Sequence, residues 1–128
     1  CMRGYVQTAK YCLSTKASFR SNNERKFIHF CERNKLHYSI ETARCKYTFN
    51  GATHVYIADF VVHFNNAQIV VEIKPDKWLH DDIVIAKAAA MTAYVNASTK
   101  LSAYCIISDT DLCETDEHII DILQASLL

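Results

Sequence analysis

Residues 55–74 read VYIADFVVHFNNAQIVVEIK, and the way this stretch pairs with itself decides the fold. The run Val55 to Phe64 is rich in β-branched and aromatic residues, Asn65-Asn66 can both adopt the positive φ of a tight two-residue turn, and Ala67 to Lys74 returns as the next strand. With the two asparagines as the loop, Phe64 lies opposite Ala67, Val62 opposite Ile69 and Phe60 opposite Val71, so Asp59 faces Glu72. Opposed residues share a face with Cβ atoms roughly 4.5–5.5 Å apart, and Lys74, two residues on, shares that face. The other face collects Phe60, Val62, Phe64, Ile69, Val71 and Ile73, which is a core. Like charges directly opposite destabilise a sheet, so this pairing calls for a reason. A divalent cation supplies one. Hard oxygen ligands suit Mg²⁺ or Mn²⁺, and Lys74 beside them can orient a water or stabilise charge developing on a phosphate. A solvated face on which Lys74 neutralises one carboxylate is the plainer reading.

Upstream, Asn50-Gly51 is a strong hairpin signal between the run ending at Phe49 and the run starting at Ala52, so the region reads as a three-stranded antiparallel meander. Earlier still, Ser21 and Glu24 have capping-box spacing, and Glu24, Phe27, Ile28 and Cys31 fall on one helical face. Glu24 therefore shares the inward stripe, either closing the cap or joining the acids. Downstream of Pro75, Asp81 and Asp82 suit a helix N-terminus, with Ile83, Ala86, Ala90 and Tyr94 at helical spacing to about Asn96. Leu101 to Ser108 reads as a buried strand, which a crossover of this length places parallel to the Ile69–Lys74 strand. Asp109 to Asp116 reads as an acidic turn and cap region, and Glu117 to Leu128 as a final amphipathic helix. The fold expected is mixed α/β, one domain over residues 21–128 behind a basic extension of uncertain structure over residues 1–20.

Composition agrees with one globular domain. The 128 residues are 50% apolar with one proline and two glycines, which excludes collagen-like and disordered chains, and no apolar run approaches the roughly 20 residues that span a bilayer. Six widely spaced cysteines without CxxC spacing read as reduced thiols of a cytoplasmic protein rather than bridges or a zinc site. Formal net charge is zero, yet residues 1–50 hold ten Lys or Arg against Glu24, Glu32 and Glu41, while residues 51–128 hold four against eleven acids. The basic half, with Arg20, Arg25, Lys26 and Arg33 as candidate DNA contacts, can neutralise phosphates, or it can be a solvated face that offsets the acidic half. His63 alternates onto the Asp59 face four residues away, Tyr56 and Trp78 read as packing residues, and Lys87 reads as solvated unless it reaches a phosphate.

The order of features resembles the PD-(D/E)xK nuclease superfamily, whose core carries an acid on the first helix, an acid at a strand start and an acid-x-lysine on the next strand. Arg20-Ser21-Asn22-Asn23-Glu24-Arg25-Lys26-Phe27, then Tyr56-Ile57-Ala58-Asp59-Phe60, then Val71-Glu72-Ile73-Lys74-Pro75 are similar to the N-terminal catalytic domain of TnsA-type transposon endonucleases, from about Arg20 to Leu112. Ala58 stands where the superfamily usually has proline. The resemblance implies a restriction-endonuclease-like core and a Mg²⁺- or Mn²⁺-dependent endonuclease acting on DNA. In it, Asp59 and Glu72 would bind metal with the Ile73 carbonyl, Glu24 would complete the acidic cluster and Lys74 would be the catalytic lysine. No second domain follows the core, a departure from complete transposases, so the expectation is a stand-alone nuclease of a phage or other mobile element, working as a homodimer or with a transposition or phage partner protein. The rival expectation is a nuclease-fold module that binds DNA or a protein without cutting.

Overall fold

A computed structural model describes residues 21–128, so the extension and Arg20 lie outside the described residues. Helix α1 (Asn22–Arg33) starts where Ser21 accepts the Glu24 N–H at 3.1 Å and buries Phe27, Ile28, Phe30 and Cys31. It stops at Lys35, whose φ of 57° lets the Leu36 N–H reach back to the Cys31 carbonyl at 2.9 Å. Strands β1 (Tyr38–Ile40), β2 (Arg44–Phe49), β3 (Ala52–Ile57), β4 (Phe60–Phe64) and β5 (Ala67–Ile73) follow. Helix α2 (Asp82–Ala97) then crosses over to β6 (Ala103–Ile107), and α3 (Asp109–Leu112) and α4 (Asp116–Ser126) complete the chain.

The turns do what their residues dictate. Asn50 and Gly51 sit at φ 52° and 78°, Asn65 and Asn66 at 50° and 64°, and both pairs close two-residue hairpins with Phe49 opposite Ala52 and Phe64 opposite Ala67. Val62 pairs with Ile69 and Phe60 with Val71, as the turn requires. The four-stranded sheet runs β1-β4-β5-β6, antiparallel except for the parallel β5–β6 pair that the helical crossover produces.

The meander differs from expectation at its first strand. Its three antiparallel strands are β1, β4 and β5, while the run ending at Phe49 pairs only with β3 in a separate two-stranded ribbon. The expected single strand Val55–Phe64 is broken at Ala58-Asp59. Arg44 stands opposite Ile57 and Ile40 opposite Phe60, so the first arm has one residue more than the second between these pairs. Glu41, at φ 58°, takes up the excess as a β-bulge, with the Ala58 N–H bonded to Ala43 and the Glu41 N–H bonded to the Asp59 carbonyl, both at 3.0 Å.

Two clusters sandwich the sheet. On one face Phe60, Val62, Phe64, Ile69, Val71 and Ile73 pack with Phe27, Phe30, Ile119 and Leu123 of α1 and α4, Phe27 and Phe60 with ring centroids 4.9 Å apart. The two helices are tied by Arg33, whose Nε and Nη2 donate to Asp116 at 3.2 and 2.9 Å. On the other face Val61 and Val70 pack with Tyr47, Tyr56, Met91 and Val95, so the acid-bearing face is covered by α2 along most of its length. The buried α2 residues are Val84, Met91 and Val95, whereas Ile83 and Tyr94, two of the four residues noted at helical spacing, are exposed. That helix is alanine-rich and apolar around its circumference, and periodicity picks no face from such a pattern. The expected acidic turn after β6 contains α3, capped by reciprocal bonds between Ser108 and Asp111. Cys31, Cys45, Cys105 and Cys113 are free thiols.

Phe60→Ala should cost about 3–5 kcal/mol, because Phe60 is fully buried between sheet and helix, while the exposed Ile85→Ala should cost under about 0.5 kcal/mol. Urea denaturation of the two variants checks the contrast.

Candidate functional site

The break between β3 and β4 puts Asp59 at the point where the ribbon joins the sheet, and the Asn65-Asn66 register puts Glu72 across from it. Each acid binds a backbone amide of the other's strand segment: the Asp59 N–H donates to Glu72 Oε1 at 3.3 Å, and the N–H of Ile73, next to Glu72, donates to Asp59 Oδ2 at 2.9 Å. Lys74 Nζ lies 3.6 Å from Glu72 Oε2, and its own N–H bonds the Ile107 carbonyl of β6 at 3.1 Å. Asp59, Glu72 and Lys74 thus share one patch, and Ile73 enters it through its amide.

Glu72 is only 7% exposed, and burial is the first cause that raises its pKa. The Tyr56 hydroxyl, the Lys74 ammonium, the Asp59 amide and Lys87 oppose it by favouring the charged form. Asp59 is pushed up to about 7, first by burial and then by the charge of Glu72, with Glu24 adding to the rise and the Ile73 amide and Lys74 holding it down. Glu24 is half-buried at the start of α1 and close enough for its charge to be felt. Among the described residues, no three His, Cys, Asp or Glu side chains come together as a metal-binding group.

Three further residues join the patch, of which the sequence read Tyr56 as packing and Lys87 as solvated and did not single out Tyr104. Tyr56 is buried as a packing residue, but its hydroxyl reaches both Glu72 and the Tyr104 hydroxyl, the latter at 3.1 Å, and burial with the nearby Glu72 charge keeps it firmly protonated. Tyr104 stands opposite Val70 on β6, a parallel register that no turn advertises. Lys87 lies over the rings of Tyr56 and Tyr47, 5.5 and 5.8 Å from their centroids. Its signal was available, since it is the lone charged residue between Ile83 and Ala97.

The remaining sequence candidates lie elsewhere. His63 is exposed opposite Gln68, toward the Asn65-Asn66 turn. Arg25 and Lys26 stand on the first half of α1, half-buried and exposed respectively, whereas the Arg33 guanidinium is engaged by Asp116. Exposed Trp78 follows β5, with Lys77 Nζ 5.0 Å from its ring centroid. No helix among the described residues is long and apolar enough to cross a membrane. No model of a known protein family matches the chain, and no curated protein matches it.

The shift on Asp59 has a sign that can be measured. A carboxyl whose pKa rises on folding binds its proton more tightly in the folded state, so stability falls as pH climbs from about 4 to about 7 and levels off above. Asp59→Asn keeps an acceptor for the Ile73 amide and removes the charge. It should raise stability at pH 8 by about 1–2 kcal/mol, less than an isolated group shifted this far would give at about 1.4 kcal/mol per unit, and flatten the profile between pH 5 and 7. Thermal melts of both proteins across that range in chelator give the answer, and a lower melting temperature for the variant at pH 8 would contradict it.

Proposed function

We propose that the protein is a metal-dependent endonuclease that hydrolyses DNA phosphodiester bonds. The observation that carries this reading is the opposition of Asp59 and Glu72, two desolvated carboxylates held by the amides of Ile73 and Asp59 with Lys74 alongside. A fold gains no stability from such a pair, which raises its own protonation, so the arrangement suits a site awaiting positive charge. The donor set fits Mg²⁺ or Mn²⁺, since both acids offer hard oxygen and Mg²⁺ is commonly held by one or two carboxylates together with water and substrate phosphate. Asp59 and Glu72 would hold the cation, with the Ile73 carbonyl as a further oxygen and Glu24 contributing from the start of α1. When bound, the cation offsets negative charge on the phosphate oxygens.

The chain's own groups supply the rest. Lys74, fixed by its backbone bond to Ile107 and drawn toward Glu72, presents an ammonium that can orient an attacking water or stabilise charge on the phosphate. The Tyr56 hydroxyl, itself bonded to that of Tyr104, reaches Glu72 and helps to orient its carboxylate. Arg25 and Lys26 on α1 stand on the helix that brings Glu24, where phosphates beside the reacting one would pass.

Supercoiled plasmid with Mg²⁺ or Mn²⁺ tests the reading. Asp59→Ala, Glu72→Ala and Lys74→Ala should each lower cleavage by at least about a hundredfold while leaving DNA binding within a few fold, because they act on reacting groups rather than on the backbone contacts that dominate affinity. Wild-type cleavage rates in both acid variants would end the nuclease assignment.

A further inference from the structure

The β2–β3 ribbon has two unlike faces. Cys45, Tyr47 and Tyr56 point inward and pack on α2, where Lys87 lies over both tyrosine rings. Arg44, Lys46 and Thr48 on β2, and Thr53, Val55 and Ile57 on β3, occupy the outer face, with Arg44 opposite Ile57, Lys46 opposite Val55 and Thr48 opposite Thr53. All six are exposed, Val55 at 56% and Ile57 at 42%. No acid occurs between Arg44 and Ile57, and neither Arg44 nor Lys46 is ion-paired among the described residues. A scattered exposed aliphatic is ordinary, but two of them flanked by unpaired cations and hydroxyls, on a face free of negative charge, match a polyanion that also offers apolar edges.

Duplex DNA is such a partner. Its major groove, about 12 Å wide, admits a two-stranded ribbon, carries thymine methyls and is bordered by phosphates. Each arm of the ribbon has six residues, about 20 Å at roughly 3.4 Å a residue. The ribbon is also continuous with the acids: the Ala58–Ala43 and Glu41–Asp59 backbone bonds extend its ladder to Asp59, two residues beyond Ile57. We propose that the outer face of the ribbon lies in the major groove of duplex DNA, with Arg44 and Lys46 on the bordering phosphates and Val55 and Ile57 against base edges. This deepens the nuclease reading by giving its substrate as a duplex entered from the ribbon side, and it rests on that reading only for what happens after binding.

The test is binding of a 30-base-pair duplex and of either single strand, by fluorescence anisotropy in chelator, across a salt series. Arg44→Gln/Lys46→Gln should weaken duplex binding about tenfold near physiological salt and reduce the slope of log K against log salt by about 1.8, at roughly 0.9 per phosphate contact. Val55→Ser/Ile57→Ser should weaken binding with the slope unchanged, and Lys100→Gln, exposed on the loop after α2, should change neither. Thermal melts confirm that each variant is folded. Wild-type affinity and slope in Arg44→Gln/Lys46→Gln, or single-strand binding equal to duplex and equally sensitive to the ribbon, would overturn the assignment. Ribbon-dependent duplex binding without plasmid cleavage in Mg²⁺ or Mn²⁺ would sink the nuclease reading and leave the ribbon assignment standing. Cleavage indifferent to the ribbon variants would do the reverse.

Discussion

Two asparagines in left-handed conformation set the phase of β4 against β5. Side chains alternate along a strand, so this one turn sends six apolar residues to the α1 and α4 side and Asp59, Val61, Val70 and Glu72 to the α2 side. A slip of one residue would invert both faces, burying the acids among phenylalanines at a cost of several kcal/mol each. The large apolar face therefore locks the acids into opposition. Core packing keeps together two groups that repel each other.

The local answer to that repulsion is an exchange of backbone donors. Asp59 accepts from the strand of Glu72, and Glu72 accepts from the amide of Asp59, so each charge is partly satisfied by a dipole that the sheet already holds in place. Tyr56 and Lys74 take other approaches to Glu72. These donors do not fully offset burial and the neighbouring charge, which together raise the pKa of Asp59. The α2 face is thus polar at one end of the sheet and apolar along the rest, the tyrosine pair marking the border between the two.

What could be read from the chain alone follows how local each signal is. Asn50-Gly51, Asn65-Asn66 and the Ser21 cap are short patterns with a direct conformational meaning, and the register drawn from the second turn led to Asp59, Glu72 and Lys74 sharing one face. The bulge at Glu41 carried no such mark, since a glutamate with positive φ looks like any other, and β1 is only three residues long. Without either, the run ending at Phe49 looked like the sheet's own first strand. The inward face of α2 was hidden by its alanines. Tyr104 was out of reach for another reason: a helical crossover fixes the direction of β6 but not its register, so nothing in the sequence aligned it with Val70 and the acids.

The bulge at Glu41 separates two alternations that would otherwise run in step. A ladder without the extra residue would carry one phase from Phe64 to Phe49, and the side chains of β2 would change places: Cys45 and Tyr47 outward, Arg44 and Lys46 against α2. One inserted residue frees the outer arm from the inner one. Substitutions that re-tune what the ribbon displays need not disturb the hydrophobic phase of the sheet, and drift in the core need not scramble the display. The hairpin behaves as an interchangeable head on a fixed shank, with the coupling at Glu41 one residue long.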